Sequence, residues 1–428
     1  MKIVDMRVTP VAIADPPLLN AAGLHAPYAL RTIVELVSED GLTGVGETHG
    51  GQRSLDHYAQ VRDAVIGQDA FALTRIWQAV DLALNSNGHR TAPQADVSAH
   101  NPALRAYSAL EVAALDLIGK AVGRPVCDLL GGAVRDEVPF SAYLFYKLPG
   151  GGGEGEDTRE DVYGEARDPE GIVRQAKAFI DRYGFGSIKL KAGVYPPDEE
   201  IAAIHAMYEA FGPDVPLRID PNGAWTTETS IRVGTELADE LEYLEDPATG
   251  LEAMSEVRKA MLAEGIDTPI ATNAVSNFTD VPEMIRLDAC QVVLGDHHTW
   301  GGPRAVTDLG RICEVFNLGL SMHSNSHLGV SLLAMTHLAA ATPNLTYAAD
   351  THYPWQYAED EILEGGRVPI ANGCVKVPAK PGLGAEIDQD ALARGKERYE
   401  RCAYRQRDDA IEMRKYVDPN WERLMPRW

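Results

Sequence analysis

The sequence predicts an α/β fold, a (β/α)8-type (TIM) barrel with an N-terminal α+β capping domain that the C-terminal tail completes. Between about residues 140 and 352, short β-branched or apolar runs alternate with helical stretches, as a parallel barrel requires. Before residue 140 the pattern is that of antiparallel strands followed by helices. A length of 428 residues accommodates a barrel and one smaller domain.

The chain is expected to divide into three segments. They are an α+β capping domain at residues 1–139, the catalytic barrel at 140–377 and a C-terminal segment at 378–428 that packs on the capping domain. In the first segment, Val4–Ile13 and Arg31–Ser38 alternate like antiparallel strands, and Ala109–Val122 is predicted to be helical. Helices of the barrel are predicted at Gly171–Tyr183, Asp198–Phe211 and Thr227–Glu240.

Eight runs are predicted to form the barrel strands. They are Phe140–Phe145, Ser187–Lys191, Pro216–Asp220, Leu241–Asp246, Pro269–Asn273, Ala289–Asp296, Gly319–Ser324 and Tyr347–His352. Nearly every run ends in a polar or ionisable side chain, which a purely structural strand would not need. Because barrel enzymes carry their catalytic groups at the C-terminal ends of the strands, we expect the site there.

Composition narrows the class of protein. The formal charge of −24 disfavours nucleic acid and anionic membrane as partners, and an anionic ligand would need local cations or a metal ion. No stretch approaches the ~20 consecutive apolar residues of a membrane helix, and the first residues lack a secretory signal. Five scattered cysteines are typical of a reduced chain. We therefore expect a cytoplasmic protein.

The second strand ends in two lysines, Lys189 and Lys191. Alternation along a strand points both ammonium groups to the same face, which in a barrel is the interior. Two crowded ammonium groups are expected to lower each other's pKa, and a nearby metal ion would add to the effect, so that one lysine could act as a base. Taken alone, two surface lysines on an ordinary strand are the simpler interpretation.

The next three strands end in oxygen donors, Asp220, Glu245 and Asn273. Consecutive strand ends meet at one edge of the barrel, so these oxygens are predicted to converge on a hard divalent cation, Mg²⁺. Two carboxylates balance its charge. Each residue singly could serve a turn or a helix cap, but chance explains the three together poorly.

Opposite the lysines, strand six ends in Asp296 and strand seven carries His323. A carboxylate behind an imidazole fixes the tautomer and leaves the other nitrogen free to take a proton. The alternative is a core histidine that binds a carbonyl, which the polar surroundings of His323 disfavour. His297 and His298 are interpreted as loop residues.

These motifs resemble the enolase superfamily, in the mandelate racemase subgroup with its Lys-x-Lys motif and His/Asp dyad. Within it the chain is most similar to the glucarate dehydratase family. The segments that carry this resemblance are Ala271-Thr272-Asn273, Asp220–Trp225, His323–His327, Ala22–Pro27, Asp350-Thr351-His352, Lys380–Gly384 and Arg407-Asp408-Asp409.

The resemblance implies a β-elimination on an acid sugar. Mg²⁺ and Lys189 would hold the substrate carboxylate and stabilise the enediolate, which makes the α-proton removable. Lys191 and His323 would serve opposite faces of the α-carbon, with His323 also a candidate acid for the departing oxygen. Asn325 would polarise the carboxylate. The product would be a 4-deoxy-5-keto acid sugar.

The resemblance also implies a set of substrate contacts: Asn20, His25, Tyr143, Lys189, Asn222, Ser324, Asn325, His352 and Arg407. Arg407 would pair with the distal carboxylate of a diacid. For His25 and Arg407 an ordinary surface role is the alternative. Residues 91–107 offer no clean counterpart of a substrate-contacting Thr in the family, so the sugar stereochemistry stays open.

The expected function is that of a magnesium-dependent hydro-lyase acting on an acid sugar, with D-glucarate favoured. Alternatives are a racemase or epimerase using the same bases, a dehydratase of galactarate, another hexarate or a pentonate, and a non-catalytic binding protein. A zinc hydrolase barrel would want His-x-His on strand one, which Ser141–Phe145 does not supply. We expect a homo-oligomer whose partner is a small acid sugar, without nucleic acid or membrane.

Overall fold

The computed structural model describes residues 1–85 and 101–428. Most of the stretch in which a substrate-contacting Thr was sought therefore lies outside the described residues. Within them, no helix is both long and apolar enough to cross a membrane.

The N-terminal part is an antiparallel sheet backed by helices. Its strands and helices are β1 (Ile3–Ala14), β2 (Leu18–Asn20), β3 (Gly23–Leu24), β4 (Tyr28–Ser38), β5 (Thr43–His49), α1 (Gln52–Val65), α2 (Leu73–Asn85), α3 (Pro102–Val122) and α4 (Val126–Leu129). Strands β1, β4 and β5 pair in that order, and α3 packs on β4 and β5. Both faces of β4 are buried in its middle, with Ile33 on one face and Val34 and Leu36 on the other, which explains why this long strand is largely apolar.

The predicted barrel is confirmed. Its eight strands are β6 (Glu137–Lys147), β7 (Ile188–Lys191), β8 (Leu217–Asp220), β9 (Leu241–Glu245), β10 (Ile270–Thr272), β11 (Val292–Gly295), β12 (Gly319–Met322) and β13 (Ala349–Thr351). Neighbours from β6 to β12 pair in parallel, and β13 pairs in parallel with β6. The segment entering β13 donates from Tyr347 to the Leu320 carbonyl of β12, which closes the ring.

Helices follow the strands as a barrel requires. They are α5 (Pro169–Tyr183), α6 (Pro197–Phe211), α7 (Thr227–Glu236), α8 (Leu251–Ala263), α9 (Val281–Leu287), α10 (His297–Trp300), α11 (Pro303–Val315) and α12 (Gly329–Ala340). Helix α5 shows why the sequence folds so: Asp168 accepts from the N–H of Gly171 at its start, and Gly184 at φ 72° ends it. Helix α7 is shorter than predicted, because the chain must turn back into β9 after Leu237.

Strand β6 is longer at both ends than predicted. Its start pairs with β14 (Cys374–Lys376), and its end pairs with β2, so the first barrel strand is shared with flanking segments. The tail adds α13 (Gln389–Arg401), which packs on β1, and α14 (Asp409–Tyr416), which packs on β3. Arg398 donates to the carbonyl of Ala12 at 2.9 Å. The boundaries at 139/140 and 377/378 stay predictions.

Candidate active site

A cavity of about 950 Å³ lies over the C-terminal ends of the barrel strands, with walls from both the barrel and the N-terminal part. Eleven of the predicted site residues line it: Asn20, His25, Tyr143, Lys191, Asn222, Asn273, His323, Ser324, Asn325, His352 and Arg407. The other four, Lys189, Asp220, Glu245 and Asp296, are buried directly behind this lining. The structure therefore brings the predicted residues to one place.

Both lysines of the second strand point into the barrel interior. Lys189 is 0% exposed and Lys191 is 6% exposed, so the interpretation as surface lysines is wrong. The Nζ of Lys189 lies 2.5 Å from Glu245 Oε2, 2.6 Å from Asp350 Oδ2 and 3.5 Å from Asp220 Oδ2. The Nζ of Lys191 lies 2.5 Å from the same Asp220 oxygen. Asp220 therefore separates the two ammonium groups.

Crowding of the two ammonium groups does not lower the pKa of Lys189. Burial lowers the pKa of this ammonium group, but the carboxylates of Asp350 and Glu245 outweigh burial and hold the pKa well above its ordinary value. The expectation rested on the second ammonium group and on a nearby metal ion. It did not include Asp350, at the end of β13, which Lys189 contacts more closely than it contacts Asp220.

Three carboxylates crowd together at the ends of β8 and β9. Oxygens of Asp220, Glu245 and Asp246 lie within 4.8 Å of one another, and the Nδ2 of Asn273 lies 3.2 Å from Glu245 Oε1. Burial and the charge of Asp220 raise the pKa of Glu245 well above its usual range and that of Asp246 to about 6. For Asp220, burial acts in the same direction, but Lys191 and Lys189 lower the pKa to about 2.

The donor set fits a divalent cation. Four buried carboxylates (Asp220, Glu245, Asp246 and Asp350) face three buried cations (Lys189, Lys191 and Arg218) in the described part of the barrel, which leaves negative charge over. Carboxylate and amide oxygens are the donors that Mg²⁺ takes. Asn273 presents its amide nitrogen to Glu245, so a half-turn of the carboxamide would place Oδ1 there instead.

On β11 and β12, Asp296 and His323 form the predicted pair. The Nδ1 of His323 lies 3.0 Å from Asp296 Oδ2. Asp296 is also bound by a residue that the sequence argument placed in a loop: His298 lies in α10, is buried, and brings its Nδ1 to 2.8 Å from Asp296 Oδ1. Although burial raises the pKa of Asp296, the imidazoles of His298 and His323 hold it well below its usual range.

The N-terminal part and the tail contribute one wall of the cavity, which contains two further pairs of a basic side chain with a carboxylate. His25 is 3% exposed, so it is no surface residue, and its Nδ1 lies 3.0 Å from Asp15 Oδ2. Arg407 donates to both oxygens of Asp409 at 2.6 Å, and Asn20 donates to Asp409 at 2.8 Å. Arg407 is therefore fixed by a carboxylate of its own segment, and its side chain stays 47% exposed toward the cavity.

The remaining predicted contacts form the floor of the cavity. Asn222 adopts φ 54°, a left-handed conformation that Asn tolerates, and its N–H donates to Asp220 at 2.9 Å. Ser324 Oγ accepts from the N–H of His352 at 3.1 Å, and the His352 ring packs edge-on against Tyr143. Burial and the nearby His25 hold the pKa of His352 well below its usual range, so this ring is neutral.

Sequence reasoning missed five acidic or basic side chains of the site: Asp15, Asp246, His298, Asp350 and Asp409. The strand-end rule could have found two of them, because Asp246 follows Glu245 and Asp350 lies at the end of β13. The other three have a partner close by in sequence, Asp409 with Arg407, His298 with Asp296 and Asp15 with His25, but no strand-end pattern marks them.

Sequence comparison identifies both parts of the chain. Residues 4–131 match the family described as mandelate racemase / muconate lactonizing enzyme, N-terminal domain, and residues 171–391 match enolase C-terminal domain-like. A probable glucarate dehydratase of Streptomyces coelicolor is 47% identical over 100% of this chain and 99% of its own. An L-talarate/galactarate dehydratase of Salmonella typhimurium is 27% identical, over 89% and 86% of the two chains.

Solved structures agree. An enolase of Pseudomonas fluorescens Pf0-1 with bound magnesium, potassium and tartrate superimposes with a TM-score of 0.92 at 47% identity, over 100% of this chain and 99% of that one. The assignment rests on three findings that agree. They are the two matched domains, the barrel with its covering N-terminal sheet, and the full-length relatives. The chain belongs to the mandelate racemase / muconate lactonizing enzyme family of the enolase superfamily.

Proposed function

We propose that this chain is a magnesium-dependent acid-sugar dehydratase, a hydro-lyase, with D-glucarate as its favoured substrate. The observation that carries the proposal is that two candidate bases, Lys191 and His323, line the same cavity beside a cluster of buried carboxylates. Full-length similarity to a probable glucarate dehydratase supports this substrate class.

In this proposal Asp220, Glu245 and Asn273 hold the magnesium ion. The bound magnesium in the Pseudomonas fluorescens enolase supports the choice of metal. A divalent cation at these oxygens would draw charge from a substrate carboxylate and make the neighbouring C–H more acidic. Lys189, whose Nζ lies 2.6 Å from Asp350 Oδ2, supplies a second positive charge next to the substrate carboxylate.

The two bases differ in how they take a proton. His323 is oriented by Asp296 through Nδ1, so Nε2 is the nitrogen that accepts the α-proton. Lys191 is paired with Asp220 and needs that carboxylate to be engaged elsewhere before its amine can accept a proton. Having a base on each of two non-adjacent strands, β7 and β12, lets the enzyme start from either configuration of the α-carbon.

Elimination then expels the neighbouring hydroxyl, and His323, now protonated, can return its proton to the departing oxygen. Arg407, Asn20 and His25 would hold the distal end of a diacid. The tartrate bound in the Pseudomonas fluorescens enolase is itself a hydroxylated dicarboxylate, which supports a diacid substrate.

A screen of hexarates and pentonates with Mg²⁺ tests the proposal. Semicarbazide or ultraviolet detection should show a keto acid, with D-glucarate turned over fastest. Epimer formation without a keto acid would make the chain a racemase or epimerase. A non-catalytic binding protein would show no exchange of substrate α-hydrogen in deuterated water. The cytoplasmic location and the homo-oligomeric state stay predictions, which cell fractionation and sedimentation would test.

A further inference from the structure

Buried side chains connect Asp296 to the N-terminal sheet through His298. The Nε2 of His298 lies 2.9 Å from Ser331 Oγ and 3.4 Å from Arg31 Nη2, while its Nδ1 lies 2.8 Å from Asp296. Arg31 is on β4, and its Nε donates to Glu47 of β5 at 2.7 Å. A row of contacts therefore runs from Glu47 through Arg31 and His298 to Asp296.

The direction of these hydrogen bonds follows from chemistry. A guanidinium group has donors and no acceptor, so the contact with Arg31 favours a His298 Nε2 that accepts, and the Ser331 hydroxyl at 2.9 Å can donate to the same nitrogen. A neutral imidazole with an acceptor Nε2 carries its hydrogen on Nδ1, which then donates to Asp296 Oδ1. Asp296 at Nδ1 and Arg31 of the N-terminal sheet at Nε2 therefore favour the same tautomer of His298.

Asp296 is fixed in turn. Its Oδ1 accepts from both the backbone N–H and the Nδ1 of His298, each at 2.8 Å, which leaves Oδ2 for His323 at 3.0 Å and Asn325 at 3.4 Å. One carboxylate therefore serves two imidazoles. Its negative charge is shared between them, so less of it acts on His323 than in an isolated pair.

Arg31 is itself held in place by a strong buried contact. Glu47 also accepts from the N–H groups of Leu328 and Ser331 at the start of α12, each at 2.9 Å. Burial raises the pKa of Glu47, but Arg31 outweighs it and lowers the pKa, so the pair stays ionised. The guanidinium is consequently a permanent donor beside His298.

We infer that His298 is a positioning residue, which transmits the Arg31–Glu47 pair of the N-terminal sheet to the catalytic histidine His323 by way of Asp296. The inference rests on the proposed function for the role of His323, and it assigns His298 no contact with substrate. Besides Arg31 and Glu47, which belong to this row, the charged or titratable groups around it are His49, Arg105, His297, His327 and His352.

The test replaces His298 with Phe or Asn, and uses His297→Phe as the matched control. His297 is the adjacent buried histidine, its ring lies tilted against that of His298 with centroids 3.8 Å apart, and its ring nitrogens have no hydrogen-bond partner among the described residues. In His298→Asn, Nδ2 can still donate to Asp296, whereas Phe cannot donate. All three proteins would be compared with the wild type by the pH dependence of kcat and of KM.

In His298→Phe the whole charge of Asp296 falls on His323, which stays protonated to higher pH. The acidic limb of the kcat profile should move up by about one pH unit, and kcat near neutral pH should fall about tenfold with KM little changed. His298→Asn and His297→Phe should keep the wild-type limb. An unmoved limb in folded His298→Phe, or an equal shift in His297→Phe, would overturn the inference.

A second measurement needs no variant and no turnover. Imidazole ¹⁵N spectra of the wild type, with His298 assigned from the loss of its signals in His298→Asn, should show the Nδ1–H tautomer. The Nε2–H tautomer at His298 would contradict the inference. If the wild type turns over no acid sugar, the proposed function is wrong, and the tautomer alone decides about His298.

Discussion

The two sides of the barrel mouth hold their bases by different physics. On the lysine side (β7 to β10, with β13), Lys189 and Lys191 lie among four buried carboxylates, and full charges interact at 2.5 to 3.5 Å. On the histidine side (the ends of β11 and β12), Asp296 is the one carboxylate that binds His323 directly among the described residues. The other hydrogen bonds of Asp296 come from His298 and from the side-chain amide of Asn325.

The difference concerns what each side needs from outside the protein. The lysine side has more negative than positive charge, so its electrostatics depend on whether a cation is bound. The histidine side satisfies its own charge with hydrogen bonds and should be indifferent to the metal. Metal binding should therefore change the electrostatics of the lysine side and leave the hydrogen bonds of the histidine side unchanged.

Metal removal is the strongest test of this contrast. Chelation should abolish keto-acid formation, and Mg²⁺ should restore it, because the carboxylate cluster cannot acidify the substrate C–H without a cation. The imidazole ¹⁵N spectrum of His298 should be the same before and after chelation. Full activity in metal-stripped enzyme would show that the lysine side does not need a cation. A change of the His298 tautomer on chelation would show that the histidine side depends on the metal.

Replacing each base should have the next largest effect. Lys191→Ala and His323→Asn should each lower the turnover of at least one epimer by about 10²- to 10⁴-fold, which is what a positioned base contributes. Magnesium binding, measured by calorimetry, should persist in both. Lys177→Ala and His205→Asn change an exposed lysine and an exposed histidine, and should be inert. If both base variants keep full activity, the assignment of the bases is wrong.

The lysine side was largely predictable from sequence, whereas the histidine side was predictable only in part. Strand alternation and the shared level of parallel strand ends place Lys189, Lys191, Asp220 and Glu245 without knowledge of packing. His298 could not be found in this way. It follows its strand in a four-residue helix, and the role inferred for it rests on a contact with Arg31, which lies 267 residues away in sequence.

The same limit explains the error about Lys189. Its pKa depends on the summed field of Asp350, Glu245 and Asp220, which come from three different strands. Sequence spacing gives neighbours along one strand and neglects those across the barrel. The eight strands, by contrast, follow from a repeating local pattern, so the barrel was predicted, although β6 is longer and α7 shorter than expected.

Arg407 belongs to neither side and should affect both equally. Arg407→Lys keeps a positive charge but loses the planar fork that binds Asp409. We expect KM for a dicarboxylate to rise about tenfold for both epimers while kcat changes little, since distal contacts contribute to binding in the ground state and the transition state alike. A loss confined to one epimer would place Arg407 on one of the two sides. A monocarboxylate pentonate serves as the control and should show no change in KM.

The smallest effect is on stability and concerns the helix behind the histidine side. Glu111 of α3 accepts from Tyr107 and from the N–H of Arg304, and burial raises the pKa of Glu111 from 4.5 to about 7. The folded state therefore holds this proton more tightly than the unfolded state. Its contribution to stability is present below about pH 4.5 and is lost as pH rises through about 7.

Glu111→Gln should remove this pH dependence. Relative to the variant, the wild type should lose about 3 kcal/mol of unfolding free energy between the acidic and neutral ends of that window. Urea unfolding across the range measures the difference, with Glu256→Gln as an exposed control. Parallel pH curves for wild type and Glu111→Gln would show that Glu111 is charged throughout, which contradicts the prediction.

The pairing of Asn20 with Asp409 joins residues that are 389 positions apart. Ribosomes make the N-terminal residues first, so a nascent chain can complete all eight strands of the barrel while this wall of the cavity is still open. If this wall holds the distal end of a diacid, as proposed, such a ligand would bind only once the last helix has docked. Ligand binding would therefore indicate that the chain has been synthesised and folded beyond residue 409.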